Sequence, residues 1–189
     1  MEPLPETFEE IGRLCTSWAY LESVTEQTVW GVLGVDINLG RFITWRLDLR
    51  SRWQLILEQA PNKHSAEDVT ALRAINKDVS TVARDRNIIV HGSMHTLVDL
   101  STTGNPDYGK DFANLGETFP VARVPCWTVF RGADVGKYFP VSKKAVEIAR
   151  RNILTTAKHI VQFNKKHRYT SPTIVLEPHP AETEWPKPL

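Results

Sequence analysis

Cysteine is scarce in this chain. Cys15 and Cys126 are the only two, each in an apolar stretch and with no CxxC spacing, which fits buried thiols in a reducing compartment better than a disulfide framework. Long apolar runs are also missing, and none approaches the roughly 20 residues a membrane helix needs. The opening residues, Met1-Glu2-Pro3-Leu4-Pro5-Glu6, offer neither a basic n-region nor an apolar h-region, so no secretory signal is expected. No charge of one sign dominates: the formal net charge is +1, and any surface for a polyanion must therefore be local. There is no Gly-x4-Gly-Lys-Ser/Thr phosphate loop, since Gly104-x4-Gly109-Lys110 is followed by Asp111, and no GxGxxG, so no nucleotide cofactor is expected. His91 and His95 are four apart, but Gly92 between them argues against one shared helix face and no cysteine completes a ligand set, so no metal is expected either. A cytoplasmic protein without membrane contact is therefore the expectation.

What remains is an ordinary globular composition, 41% hydrophobic and 24% charged over 189 residues, long enough for one domain with a proper core. Apolar residues at Phe8, Ile11, Cys15, Trp18, Val29 and Leu33 fall at helical spacing and predict a first helix from about Pro5 to Leu33. Thr7 and Glu10 suit a capping box at its start. Gly34 stops it, and Asp36 to Gly40 reads as a loop. A second helix is predicted from Arg41 to Gln59. The third begins after Ser65 as N-cap, carries the stripe Val69, Leu72, Ile75, Val79, Val82 and Ile89, and ends at Gly92. Segment 102–125 reads as a long loop. Cys126–Phe130 and Tyr138–Val141 read as a hairpin, with Thr96–Leu100 as a third strand. Ser142 caps a last helix to about Lys166, and a proline-bearing tail, 169–189, completes the chain. The predicted organisation is all-α: a bundle of four to five helices over 1–168 with a small β insertion at about 95–141.

The chemistry concentrates in Arg86-Asn87-Ile88-Ile89-Val90-His91. A guanidinium grips phosphate oxygens with a planar fork of donors, and an imidazole moves protons near neutral pH. Spacing alone is weak, because thirteen arginines and six histidines supply roughly 0.4 Arg-x4-His pairs by chance. Position adds weight: the segment lies at a predicted helix end, where the negative end of the dipole favours imidazolium. Asn87 and His91, four apart, share a face and are expected to touch. Arg86 stands about 140° round the helix from His91, which suggests a facing second copy. Arg86 also falls on the apolar stripe, as Glu22 does four residues after Trp18, so a Glu22–Arg86 pair is predicted. The bland reading is a structural arginine beside a helix-capping histidine. Among other basic residues, Arg46 and Arg50 share a face of the predicted second helix. The last helix through Arg168 sets eight basic residues against Glu147 alone. Arg150, Arg151 and Lys158 are its candidates for an RNA backbone, although such a face is most often simply solvated.

At these residues the chain resembles the HEPN superfamily (higher eukaryotes and prokaryotes nucleotide-binding domain), whose hallmark is an Arg-x4–6-His motif at the end of the third core helix, often with a polar residue after the arginine. Arg86-Asn87-x3-His91 matches the four-spacer form. Trp18-Ala19-Tyr20-Leu21-Glu22 on the first helix and Gly40-Arg41 opening the second extend the likeness over most of the chain, the β insertion and tail excepted. The resemblance implies a helical bundle that dimerises with two motifs at the interface, and metal-independent RNA cleavage with Arg86, Asn87 and His91 as the site. Members include toxins and antiviral effectors, which implies a neutralising or regulatory protein partner, and some members are inactive. The alternative is a non-catalytic helical module that binds a nucleotide or a protein.

Overall fold

Pro5 opens the first helix, where its fixed φ and missing N–H do no harm, and α1 runs from there to Leu33. A computed structural model of the protein describes residues 5–91, 93–99, 123–128, 138–140 and 143–169, with side chains described for 6–91 and 143–169. The capping box predicted from Thr7 and Glu10 is not formed. Thr7 already lies inside α1, and Glu10, only 1% exposed, accepts from Arg13 and Arg150 instead. Gly34 ends α1 at φ +71, with Val35 N–H bonded to Trp30 C=O and Gly34 N–H to Gly31 C=O, the paired closure that a left-handed residue permits.

The predicted second helix is two helices. α2 spans Ile37–Thr44 and α3 spans Leu49–Gln59, followed by a 3-10 turn over Ala60–Asn62. Each has its own aspartate cap: Asp36 accepts from the N–H groups of Asn38 and Leu39, and Asp48 from that of Ser51 at 2.7 Å. Asp36 to Gly40, predicted as a loop, therefore begins a helix. Gly40 is buried against Trp30, whose ring lies where a β-carbon would stand, and Trp30 Nε1 donates to Thr44 Oγ1 at 3.3 Å. That close approach locks α2 onto α1.

α4 runs Ala66–His91, and its predicted stripe from Val69 to Ile89 is buried throughout. Ser65 Oγ accepts from Asp68 N–H and donates to the Asp68 carboxylate, as an N-cap should. α5 runs Lys143–Lys166; Ser142, predicted to cap it, the side chain of Cys126, most of the 102–125 segment and the tail beyond Tyr169 lie outside the described residues. Tyr169 itself, assigned by sequence to the tail, packs on the core. Between α4 and α5 the backbone pairs as three short antiparallel strands in the order β1 (Ser93–Asp99), β2 (Arg123–Thr128), β3 (Tyr138–Pro140). The described residues are mostly helical, and among them no helix is long and apolar enough to cross a membrane.

Polar ties show how the helices run. Glu6–Lys143 and Glu10–Arg150 join the starts of α1 and α5. Near the other end Asn164 Nδ2 donates to Val24 C=O at 3.0 Å, while Thr28 Oγ1 lies 2.9 Å from Asn164 Oδ1. The two helices are thus parallel. α4 is antiparallel to α5, with Lys166–Asp68 at one end and His159–Asp78 further along. Arg52 fastens α3 to α1 through Glu26 at 3.0 Å. The core these helices enclose is Leu14, Leu21, Trp53, Ile56, Leu72, Ile153 and Ile160 with their neighbours. Hydrophobic burial on this scale is the main favourable term for the fold.

Candidate active site at the end of α4

Arg86, Asn87 and His91 occupy the last turns of α4; Arg86 is half-buried, Asn87 and His91 exposed. Arg86 Nη1 donates to Asn87 Oδ1 at 3.0 Å and lies 2.8 Å from His91 Nε2. This corrects the expectation that the two would point apart. The angular offset between their backbone positions is bridged by the length of the arginine side chain, which lays its head along the helix toward the C-terminus. Asn87 touches Arg86 rather than His91. A guanidinium has donors only, so a hydrogen bond at this distance requires His91 Nε2 as the acceptor.

The predicted Glu22–Arg86 pair is not formed: no ion pair within 4 Å joins them among the described residues. The stripe on α1 is the right one, but the partner sits one turn earlier. The Arg86 guanidinium lies over the Trp18 ring, 5.3 Å from its centroid. A weakly hydrated planar cation stacks well on an indole face, so Trp18 answers a charge that sequence reasoning assigned to a carboxylate. Arg86 Nε is buried without a hydrogen-bond partner among the described residues.

Trp18 also walls a groove of about 750 Å³ between α1, α3 and α4, together with Trp53, Asp48, Arg50, Arg84 and Asn87. Asn87 and Trp18 are thus shared between the groove and the Arg86–His91 pair. Arg50 lines the groove, as a phosphate-binding role requires. Arg46 does not accompany it: it lies in the turn between α2 and α3, its guanidinium 4.4 Å from the Trp45 ring centroid, so the predicted shared helix face does not exist. On α5, Arg150 is held by the buried carboxylate of Glu10, while Arg151 and Lys158 are exposed. Arg84 and the two tryptophans were missed by sequence reasoning as groove residues; helical spacing had marked the tryptophans only as core.

A second cluster stands at the other end of α4. His64 and Asp68 meet His167 from the end of α5, the three donor groups lying within 4.8 Å of one another. The His64 and His167 rings are 4.5 Å apart, edge to face. His64 Nε2 lies 2.6 Å from Tyr169 Oη, and the Tyr169 ring rests on Gly31, where any β-carbon would collide with it. Lys166 Nζ lies 2.6 Å from Asp68 Oδ1. That bond, then the one from Ser65, holds the Asp68 carboxyl down at about 2. Burial, then the neighbouring His167, lowers His64, and burial raises the Tyr169 phenol. No metal-ligand cluster is visible in the sequence, because His167 joins the other two only through the packing of α5 on α4.

Comparison with known proteins adds no relative: no family model, no characterised protein and no solved structure matches the chain.

Proposed function

We propose that this protein is a metal-independent endoribonuclease, with a HEPN-like bundle interrupted by a β insertion between α4 and α5. The observation that carries the reading is the 2.8 Å approach of Arg86 Nη1 to His91 Nε2 at an exposed helix end beside an aromatic groove. A neutral Nε2 is the form that takes a proton. On substrate it would remove the proton from a ribose 2′-OH; the 2′-oxygen would bond to the adjacent phosphorus, the bond to the 5′-oxygen would break, and a 2′,3′-cyclic phosphate would remain. Arg86 would turn its fork from His91 to the phosphate oxygens and stabilise the charge that develops there. Asn87 would hold the guanidinium, and the groove beside Trp18 would take a base, with Arg50 near its phosphate.

In-line displacement needs a proton removed on one side of phosphorus and delivered on the other. One imidazole cannot reach both. Among the described residues, the groups bonded to or stacked on the pair, Asn87 and Trp18, carry no transferable proton near neutral pH. The acid is therefore proposed to come from the motif of a second copy, in a homodimer. A toxin or defence role, with a neutralising partner, rests on the resemblance alone. The non-catalytic reading is favoured by one observation: Arg86 Nε is buried and unbonded, so the guanidinium is partly committed to the protein interior.

A purified-protein RNA cleavage assay in EDTA separates the two. Cleavage is expected with wild type, roughly 10²-fold slower with His91→Ala, and absent on RNA carrying 2′-deoxy at the cut site. A folded His91→Ala protein that cuts as fast as wild type overturns the proposal.

A further inference from the structure

We propose that His64, Asp68 and His167 bind one first-row divalent transition metal ion, of the Zn²⁺ type, at the end of the bundle remote from Arg86 and His91. Two imidazoles and a carboxylate are a donor set that suits this class of ion. The three groups come from the segment before α4, the first turn of α4 and the residue after α5, and their donor atoms already lie within 4.8 Å of one another. Donors around a tetrahedral zinc stand roughly 3.3 Å apart, so closing on an ion needs side-chain shifts of an ångström or so and no change of fold.

Three further features point the same way. His167 Nε2 is buried without a hydrogen bond although Asp68 Oδ1 is only 3.5 Å away. A ring nitrogen left unused beside a carboxylate is a donor waiting for a shared partner. Next, the carboxylate and one ring are already oriented: Ser65 Oγ holds Asp68 Oδ2 at 3.0 Å, and Tyr169 Oη holds His64 Nε2 at 2.6 Å. Outer groups that fix ligands in this way are a regular part of metal sites. Last, the position between the helices already attracts a cation. Lys166 Nζ sits on Asp68 Oδ1 at 2.6 Å, yet its side chain is 60% exposed and can swing out to solvent. The ion would replace an ammonium, with no bare charge created.

The site is distinct from the proposed ribonuclease centre. Asp68 and Arg86 are 18 residues apart on one helix, about 27 Å along its axis, so the ion takes no part in phosphate chemistry. Its effect is to clamp the end of α5 to the start of α4.

Full-length protein stripped with EDTA and titrated with ZnCl2 tests this. One equivalent per chain is expected to bind, raising Tm by about 5–10 °C at a hundredfold excess over Kd. CoCl2 is expected to give visible absorption of the four-coordinate kind. His167→Gln and His64→Gln should weaken binding by about 100-fold or more. Lys166→Met keeps every ligand, removes the competing ammonium, and should tighten binding about tenfold. No bound equivalent, or a Zn²⁺-induced shift that survives His167→Gln unchanged, overturns the proposal. Should the histidine variants fail to fold, Lys166→Met decides: a Zn²⁺ affinity no tighter than wild type means that Asp68 is not a ligand and likewise overturns it. Failure here leaves RNA cleavage in EDTA untouched, so this proposal and the ribonuclease reading fall separately.

Discussion

Arg86 Nη1 and His91 Nε2 are 2.8 Å apart although five residues separate them on one helix. The contact uses the reach of the arginine and the planarity of its head, which also lies over Trp18. Lysine offers a point charge and no fork. Arg86→Lys is therefore expected to slow RNA cleavage by roughly 10²-fold while circular dichroism stays helical. Mixed dimers are informative too. One wild-type protomer paired with one His91→Ala protomer should retain far less than half the activity, because base and acid come from different copies. Half-activity in isolated mixed dimers would mean that each helix end works alone.

Glu22 makes no ion pair with Arg86, so its loss should be mild. Glu22→Ala is expected to change unfolding free energy by less than about 0.5 kcal/mol and to add independently to Arg86→Met in a double-mutant cycle. Trp18→Ala should instead cost about 3–5 kcal/mol, since it empties a buried indole site and uncovers the guanidinium. Urea midpoints of the purified variants measure both.

Asp48 caps α3 through the N–H of Ser51, and that bond holds its carboxyl below the ordinary aspartate value. A carboxyl depressed in the folded state stabilises above its unfolded pKa and loses that contribution as pH falls through the folded one. Asp48→Ala should thus cost about 1 kcal/mol at pH 7, and the gap from wild type should narrow as pH drops below about 4. Asp48→Asn should show a smaller, pH-independent change. Urea titrations between pH 2 and 7 would show a gap widening toward acid if the carboxylate opposed folding.

Arg168 closes α5 at φ +58, with Tyr169 N–H bonded to Asn164 C=O at 2.8 Å. A side chain in that left-handed region costs about 1–2 kcal/mol, and glycine adopts it freely. Arg168→Gly should raise stability by about 1 kcal/mol, glycine's greater unfolded-state entropy offsetting part of the gain. An unchanged or lower Tm would show that the arginine head contributes elsewhere.

Much of the architecture was legible because α1, α4 and α5 are long. Over so many turns, the buried stripe from Val69 to Ile89 admits no reading but a helix. The break between α2 and α3 was not legible: Trp45-Arg46-Leu47 contains neither glycine nor proline, and the signal was the pair of aspartates, Asp36 and Asp48, each placed to cap the helix after it. At the site, positions were legible and contacts were not. Spacing rules place α- and β-carbons, whereas Arg86 meets His91 through a long flexible stem. The Trp18 partner was obscured because an indole face answers a cation without carrying a charge of its own. His64, Asp68 and His167 meet through tertiary packing alone, which no local pattern encodes.

One buried amide governs more than its own bonds. α1 and α5 lie parallel with apolar faces, and such faces tolerate a slip of one turn, about 5.4 Å, with much of their contact intact. Asn164 does not tolerate it. Its amide bonds the Val24 carbonyl and the Thr28 hydroxyl, and displaced among hydrocarbon it would cost about 1–3 kcal/mol for each group left unsatisfied. The amide thereby sets the axial register of the pair. The same setting brings Arg150 level with Glu10 at one end and Tyr169 level with Gly31 at the other, so a single side chain indexes both ends of the helix pair at once.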